Sequence, residues 1–188
     1  MTDETSETDE TGEPVEIGPE ELLLLRAAAA RVMLLDTARV YGSFVTSKEL
    51  GAYISKDAGD TTRQLLQHWI GGVLRAVAEE CASLGEPVLT ALCVDASGSV
   101  GKGYAEAVLA AQGVAPDDPD QHAAEERLRC YTFFGANLPT GGGFPSLTPK
   151  LTTSRARAKK VQREARPLTL CPTCQLVVPP SGICDNCD

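Results

Sequence analysis

Four cysteines in the last 18 residues, Cys171, Cys174, Cys184 and Cys187, form the pattern C-x2-C-x9-C-x2-C. This spacing in a chain without export features points to metal rather than disulfides. Each C-x2-C loop can present two thiolates to one ion, and the intervening hairpin brings the two loops together. Four sulfurs in tetrahedral array favour Zn2+. An iron site or a pair of redox dithiols would use the same ligands. A segment this short cannot bury a useful apolar core, so a bound metal must supply most of its folding energy. The other three cysteines, Cys81, Cys93 and Cys130, stand among apolar residues and are read as buried thiols.

The stretch Leu170-Cys171-Pro172-Thr173-Cys174 with Ile183-Cys184-Asp185-Asn186-Cys187 resembles short zinc-ribbon modules. Those modules usually place Gly after each C-x2-C. Here Gln175 and Asp188 stand in its place.

Charge is unevenly spread. The formal net charge of −9 contains a tail, residues 1–21, with nine acidic groups and no basic one. Such self-repulsion with few apolar residues predicts a disordered acidic tail over 1–19. Residues 150–167 reverse the sign, with seven basic groups and one acidic group. No apolar run approaches the ~20 residues of a membrane span. The acidic N-terminus lacks the look of a secretory signal. A cytoplasmic protein that does not enter membranes is expected.

Between these ends the pattern is mostly helical. Pro19-Glu20-Glu21 suits a helix start, continuing to about Val40 and ended by Gly42. Thr46 with Glu49 has the form of a capping box, followed by a short helix with Leu50 and Ile54 inward. Asp60-Thr61-Thr62 offers a cap for a third helix, in which Leu66, Trp69, Ile70, Val73, Leu74, Val77 and Cys81 recur at helical spacing. Residues 88–95 read as a strand, and 100–104 as a returning strand or wing. A helix over 105–112 and another capped by Asp120 follow. Pro139, the run Gly141-Gly142-Gly143, Pro145 and Pro149 mark a linker before the basic helix. The predicted organisation is an acidic tail over 1–19, a helical domain over 20–134, a linker and basic helix over 135–167, and a ribbon over 168–188. The fold class is mostly α with a small β-hairpin, α+β, in the order of a winged helix-turn-helix.

Residues 39–104 carry Arg39-Val40-Tyr41-Gly42, Val45-Thr46-Ser47-Lys48-Glu49-Leu50, Trp69-Ile70-Gly71-Gly72-Val73-Leu74 and Leu92-Cys93-Val94-Asp95-Ala96-Ser97-Gly98. In order and approximate spacing this region resembles the DNA-binding domain of alkylguanine-DNA alkyltransferases and their alkyltransferase-like relatives. The resemblance implies a winged-helix fold and DNA binding. The family's alkyl-accepting Cys-His-Arg run would fall on Thr90, Ala91 and Leu92, and none of the three is kept. Cys93 has no neighbouring base and lies in an apolar stretch, where a thiol stays protonated. Repair alkyl transfer is therefore rejected, and a non-enzymatic protein is expected. The whole chain also resembles uncharacterised actinobacterial and phage-type proteins that join such a module to a C-terminal ribbon, which implies no particular activity.

Candidate nucleic-acid contacts follow from position. Arg63, Gln64 and Gln67 lie at the start of the third helix, the part that reads bases in helix-turn-helix proteins. Lys102 lies in the expected wing. Lys150, Arg155, Arg157, Lys159, Lys160, Arg163 and Arg166 form the dense cationic run, which suits phosphates. The sequence 98–103 is not a phosphate-binding loop, because Ala96 and Gly103 occupy the positions that need Gly and Ser or Thr. His122, Glu125 and Glu126 are the one acid/base grouping to be checked. The leading expectation is a zinc-binding, DNA-binding or regulatory protein with duplex DNA as partner. The alternative is a protein–protein adaptor within a nucleic-acid-processing or ribosome-associated assembly.

Overall fold

The computed structural model describes residues 18–57, 64–101, 103–165, 170–178, 182–184 and 186–187. The chain divides into two compact units, Met1–Ser146 and Leu147–Asp188. The larger contains α1 (Pro19–Ala38), β1 (Val45–Thr46), α2 (Ser47–Asp57), α3 (Leu66–Leu84), a 3-10 turn (Leu89–Leu92), β2 (Cys93–Val94), α4 (Gly103–Gln112) and α5 (Pro119–Phe133). It is mostly helical, with one small parallel sheet in which Val45 pairs with Cys93 and Thr46 with Val94. None of the helices among the described residues is long and apolar enough to cross a membrane.

Local chemistry sets the helix ends. Pro19 occupies the first turn of α1, with Glu20 and Glu21 at its positive end. The capping box forms reciprocally. The Thr46 N–H donates to Glu49 Oε2 at 2.8 Å, and the Glu49 N–H donates to Thr46 Oγ1 at 3.2 Å. These bonds hold the Glu49 carboxyl below its usual range. Gly85 closes α3 in the left-handed region at φ 67°, a conformation glycine adopts without steric cost. The expected cap at Asp60–Thr62 lies outside the described residues, and Leu65 directly precedes α3. The cap of α5 is Asp118 rather than Asp120. Its side chain accepts from the backbone of Asp120 and Gln121.

Two cores share one wall. The first joins Ala30, Leu34, Leu50, Ile54, Val73 and Val77 with Leu89 and Leu92. Trp69 belongs to it, with the Arg26 guanidinium 4.5 Å above its ring. The second gathers Ala78, Val88, Ala91, Val94, Tyr104, Val108 and Ala123. Residues 88–94 send Leu89, Leu92 and Cys93 into the first core and Val88, Ala91 and Val94 into the second, and are buried throughout.

The expected β-hairpin over 88–104 does not form. Leu89–Leu92 makes a 3-10 turn, and Cys93–Val94 pairs with distant Val45–Thr46. The returning segment is captured instead by α5. Asp120 Oδ1 accepts from Ser99 Oγ at 2.8 Å and from the Val100 N–H at 2.9 Å, and α4 begins at Gly103. The turn itself is held by Asp95, whose Oδ1 accepts from the N–H groups of Ser97 and Ser99 at 2.8 and 3.1 Å. Partial burial alone would raise the Asp95 carboxyl, but these bonds outweigh it and hold the group below its usual range. A depressed carboxyl stabilises the fold above its unfolded value near ~3.9 and loses that contribution as pH falls.

Glu126 and Arg127 on α5 fasten the shared wall. Glu126 Oε2 accepts from the Val88 N–H at 3.0 Å, and Arg129 Nη1 donates to Glu126 Oε1 at 2.7 Å. Arg127 Nη1 donates to the Ala91 carbonyl at 2.9 Å, and Nη2 to the Ser146 carbonyl at 3.1 Å. Removing the Glu126 carboxylate strands a buried N–H. Glu126→Ala should therefore cost about 3 kcal/mol and Glu126→Gln about 1 kcal/mol. Urea unfolding followed by fluorescence of the single tryptophan, Trp69, measures both.

Candidate functional sites

The smaller unit holds α6 (Pro149–Glu164) and the cysteine pairs. An antiparallel bridge joins Leu170 to Val177. The Cys171 N–H donates to the Leu176 carbonyl at 2.8 Å, and the Gln175 N–H to the Cys171 carbonyl at 2.9 Å. This folds the first C-x2-C into a knuckle. The second closes through the Cys187 N–H on the Cys184 carbonyl at 3.1 Å. The knuckle forces Gln175 to φ 57°, the left-handed region where a side chain is strained. That is the position where glycine is usual in the resembled ribbons.

The four sulfurs converge, all within 4.8 Å of one another. Cys171 and Cys187 Sγ lie 3.8 Å apart, and Cys174 and Cys184 Sγ 3.4 Å apart. A disulfide needs about 2.05 Å, whereas a tetrahedron with metal–sulfur bonds of about 2.3 Å has edges of about 3.8 Å. The geometry suits four-thiolate coordination of one metal ion. Backbone N–H groups of Cys174 and Thr173 pull the Cys171 thiol down to about 6, and the Leu176 N–H lowers Cys174. Hydrogen bonding to Cys174 pushes Cys187 up to about 11. The four thiols therefore share protons as one cluster, and a cation that displaces those protons is bound less well as pH falls.

The cationic side chains occupy opposite sides of α6. Arg155, Lys159 and Arg163 recur four residues apart along one side. Lys150 and Arg157, seven apart, lie on the other, with Lys160 beside Arg157. Arg155 is half-buried and the other five are exposed. Lys160 Nζ lies 3.9 Å from the Glu164 carboxylate, a loose pair. Arg166 lies outside the described residues, as do Arg63 and Lys102. Gln64 and Gln67 are exposed near the start of α3, and Gln67 Nε2 lies 3.3 Å from His68 Nε2.

One site escaped the sequence. A cavity of about 380 Å³ opens among Gln67, Ile70 and Gly71 of α3, Thr90, Asp95 and Tyr104. Thr90 is 2% exposed, and its hydroxyl has no hydrogen-bond partner. At Gly71 an added Cβ would meet no atom within 4 Å. A helix-interior glycine costs about 1 kcal/mol relative to alanine, and no internal contact accounts for it. Cys93 also lines the cavity, but burial pushes its thiol up to about 12, so it is neutral and unreactive near pH 7. Four separate stretches build this cavity, and no short motif announces it.

His122, Glu125 and Glu126 do not converge on a common point. His122 Nδ1 lies 3.1 Å from the Tyr104 hydroxyl, and Glu125 accepts from Gln121. Glu126 is committed to Val88 and Arg129. Comparison with protein-family models, with curated proteins and with solved structures finds no match.

Two substitutions test the local energetics. Thr90→Val keeps the shape and removes a stranded hydroxyl, so urea unfolding should show a gain of about 1 kcal/mol. Gln175→Gly should relieve about 1 kcal/mol of backbone strain, so that added Zn2+ binds about five-fold more tightly in a competition titration with a chelator.

Proposed function

We propose that the protein is a non-enzymatic, zinc-binding, nucleic-acid-binding protein in which α6 contacts duplex DNA. The observation that carries this reading is a helix cationic on opposite sides, in the same compact unit as a four-thiolate centre. A helix in the major groove has phosphates on both flanks, so charge on both sides is usable there. Sixteen residues span about 24 Å at 1.5 Å each, roughly seven base-pair steps. Three of the six described cations are arginines, which bind phosphate through two parallel N–H groups.

Four sulfur donors form a closed set with no open position. This supports a structural ion rather than a catalytic one. The ion would be zinc, held by Cys171, Cys174, Cys184 and Cys187, and its chemistry is to cross-link the two knuckles.

The larger unit supports DNA contact through its resemblance to the alkyltransferase-like DNA-binding domain. Gln64 and Gln67 are exposed where that domain reads DNA. Thr90, where the resembled family carries its acceptor cysteine, lines the cavity. A threonine there accepts no alkyl group, in keeping with binding without chemistry.

Elemental analysis of protein purified without chelator should find about one zinc per chain, and none would overturn the metal reading. For DNA, about five neutralised phosphates predict a log–log salt slope near −4 to −5 on random duplex. Neutralising Arg155, Arg157, Lys159 and Lys160 together should flatten the slope to about −1. Weak, salt-insensitive binding by both proteins would remove the DNA reading and favour the protein–protein adaptor.

A further inference from the structure

We propose that α1 carries a self-association surface, through which two copies of the chain pair antiparallel. Helix α1 is apolar on both sides. One side, with Ala30, Leu34 and Ala38, fills the first core. The opposite side runs through Glu21, Leu25, Ala28, Val32, Leu35 and Arg39, at spacings of four, three, four, three and four. Those residues lie within about 40° of one line along the helix at 100° per residue. Leu25 is 42% and Val32 49% exposed and Ala28 is exposed, while Leu35 is half-buried at the edge of the stripe, where it also packs against the first core. A surface helix normally turns polar residues to water, and one that is apolar all round is normally buried. This alternation of three and four is the seam of paired helices, and the small Ala28 lets two backbones approach.

Charge identifies the occupant as a second copy. A two-fold axis near residue 30 sets Leu25 against the partner's Leu35 and Ala28 against the partner's Val32. The same register brings Glu21 to the partner's Arg39, twice per dimer, where it joins the exposed pair that Arg39 makes with Asp36 of its own helix at 2.8 Å. The stripe is self-complementary only in the antiparallel sense, since a parallel pair would set Glu21 on Glu21 and Arg39 on Arg39. One helix pair covers less than the ~1,600 Å² of a standard interface, so the dimer is a weak one with micromolar affinity.

Sedimentation velocity of the full chain from about 5 to 500 µM tests this, the range bracketing that affinity. Wild type should shift from monomer to dimer. Val32→Glu should remain monomeric with unchanged Trp69 fluorescence, because Val32 faces away from the core. Glu21→Arg and Arg39→Glu should each weaken the dimer about ten-fold, through like charges at two contacts. Combining them should restore wild-type affinity within about three-fold. A wild type that stays monomeric throughout overturns the proposal. So does a dimer that survives Val32→Glu, or a double reversal that fails to restore association.

Discussion

Two consecutive side chains, Glu126 and Arg127, hold the segment on which both cores of the larger unit depend. Residues 88–94 are buried without belonging to a wide sheet, so their backbone groups must find partners outside a regular ladder. The carboxylate takes the Val88 N–H, and the guanidinium takes the Ala91 carbonyl. Burying charge is costly unless every bond is made. Burial lowers the Arg127 pKa, but the group remains a cation between two carbonyls. Its neighbour Glu126 is served by an N–H and by Arg129. With this wall in place, α1, α3 and α5 pack against it and α4 packs on α3. The cavity opens beside it, with Thr90 on the wall.

The helices could be read from the chain because their signals are local. The Thr46–Glu49 box, the Gly85 stop and the stripe through Trp69, Val73 and Val77 each lie within a few turns of the backbone they control. Residues 88–95 are different. A short run of branched apolar residues is the same in a strand and in any doubly buried segment. Its 3-10 form is set by Glu126 and Arg127, more than 30 residues away. The hairpin failed for a similar reason. Asp120, which looks like a helix cap, reaches back 20 residues to seize Val100. The convergence of the four cysteines was legible because the spacing is itself the geometry. The strain at Gln175 showed only as a missing glycine, and the cavity left no local trace.

The two units are stabilised by different means. The larger has two apolar cores and a buried polar clamp. In the smaller, Cys171 is the single buried apolar side chain among the described residues, and Leu170, Leu176, Val177 and Ile183 are exposed. There four converging cysteines that could hold an ion stand where a core would, and α6 buries none of its side chains, with Arg163 placed in its last turn.

The parallel pairing of Val45–Thr46 with Cys93–Val94 bears on how the larger unit comes together. It joins chain segments about 47 residues apart, and closing such a loop from a random coil costs about 3.4 kcal/mol in chain entropy, before a constant term. Two residue pairs cannot offset that alone. Contacts among α1, α2 and α3 must already have brought the ends near each other, since much of the intervening chain is then helical and short. The sheet is in this sense a late product of helix docking. Its formation reports that the bundle has assembled, and a chain with a damaged α3 would lose the sheet without any change in the strands themselves.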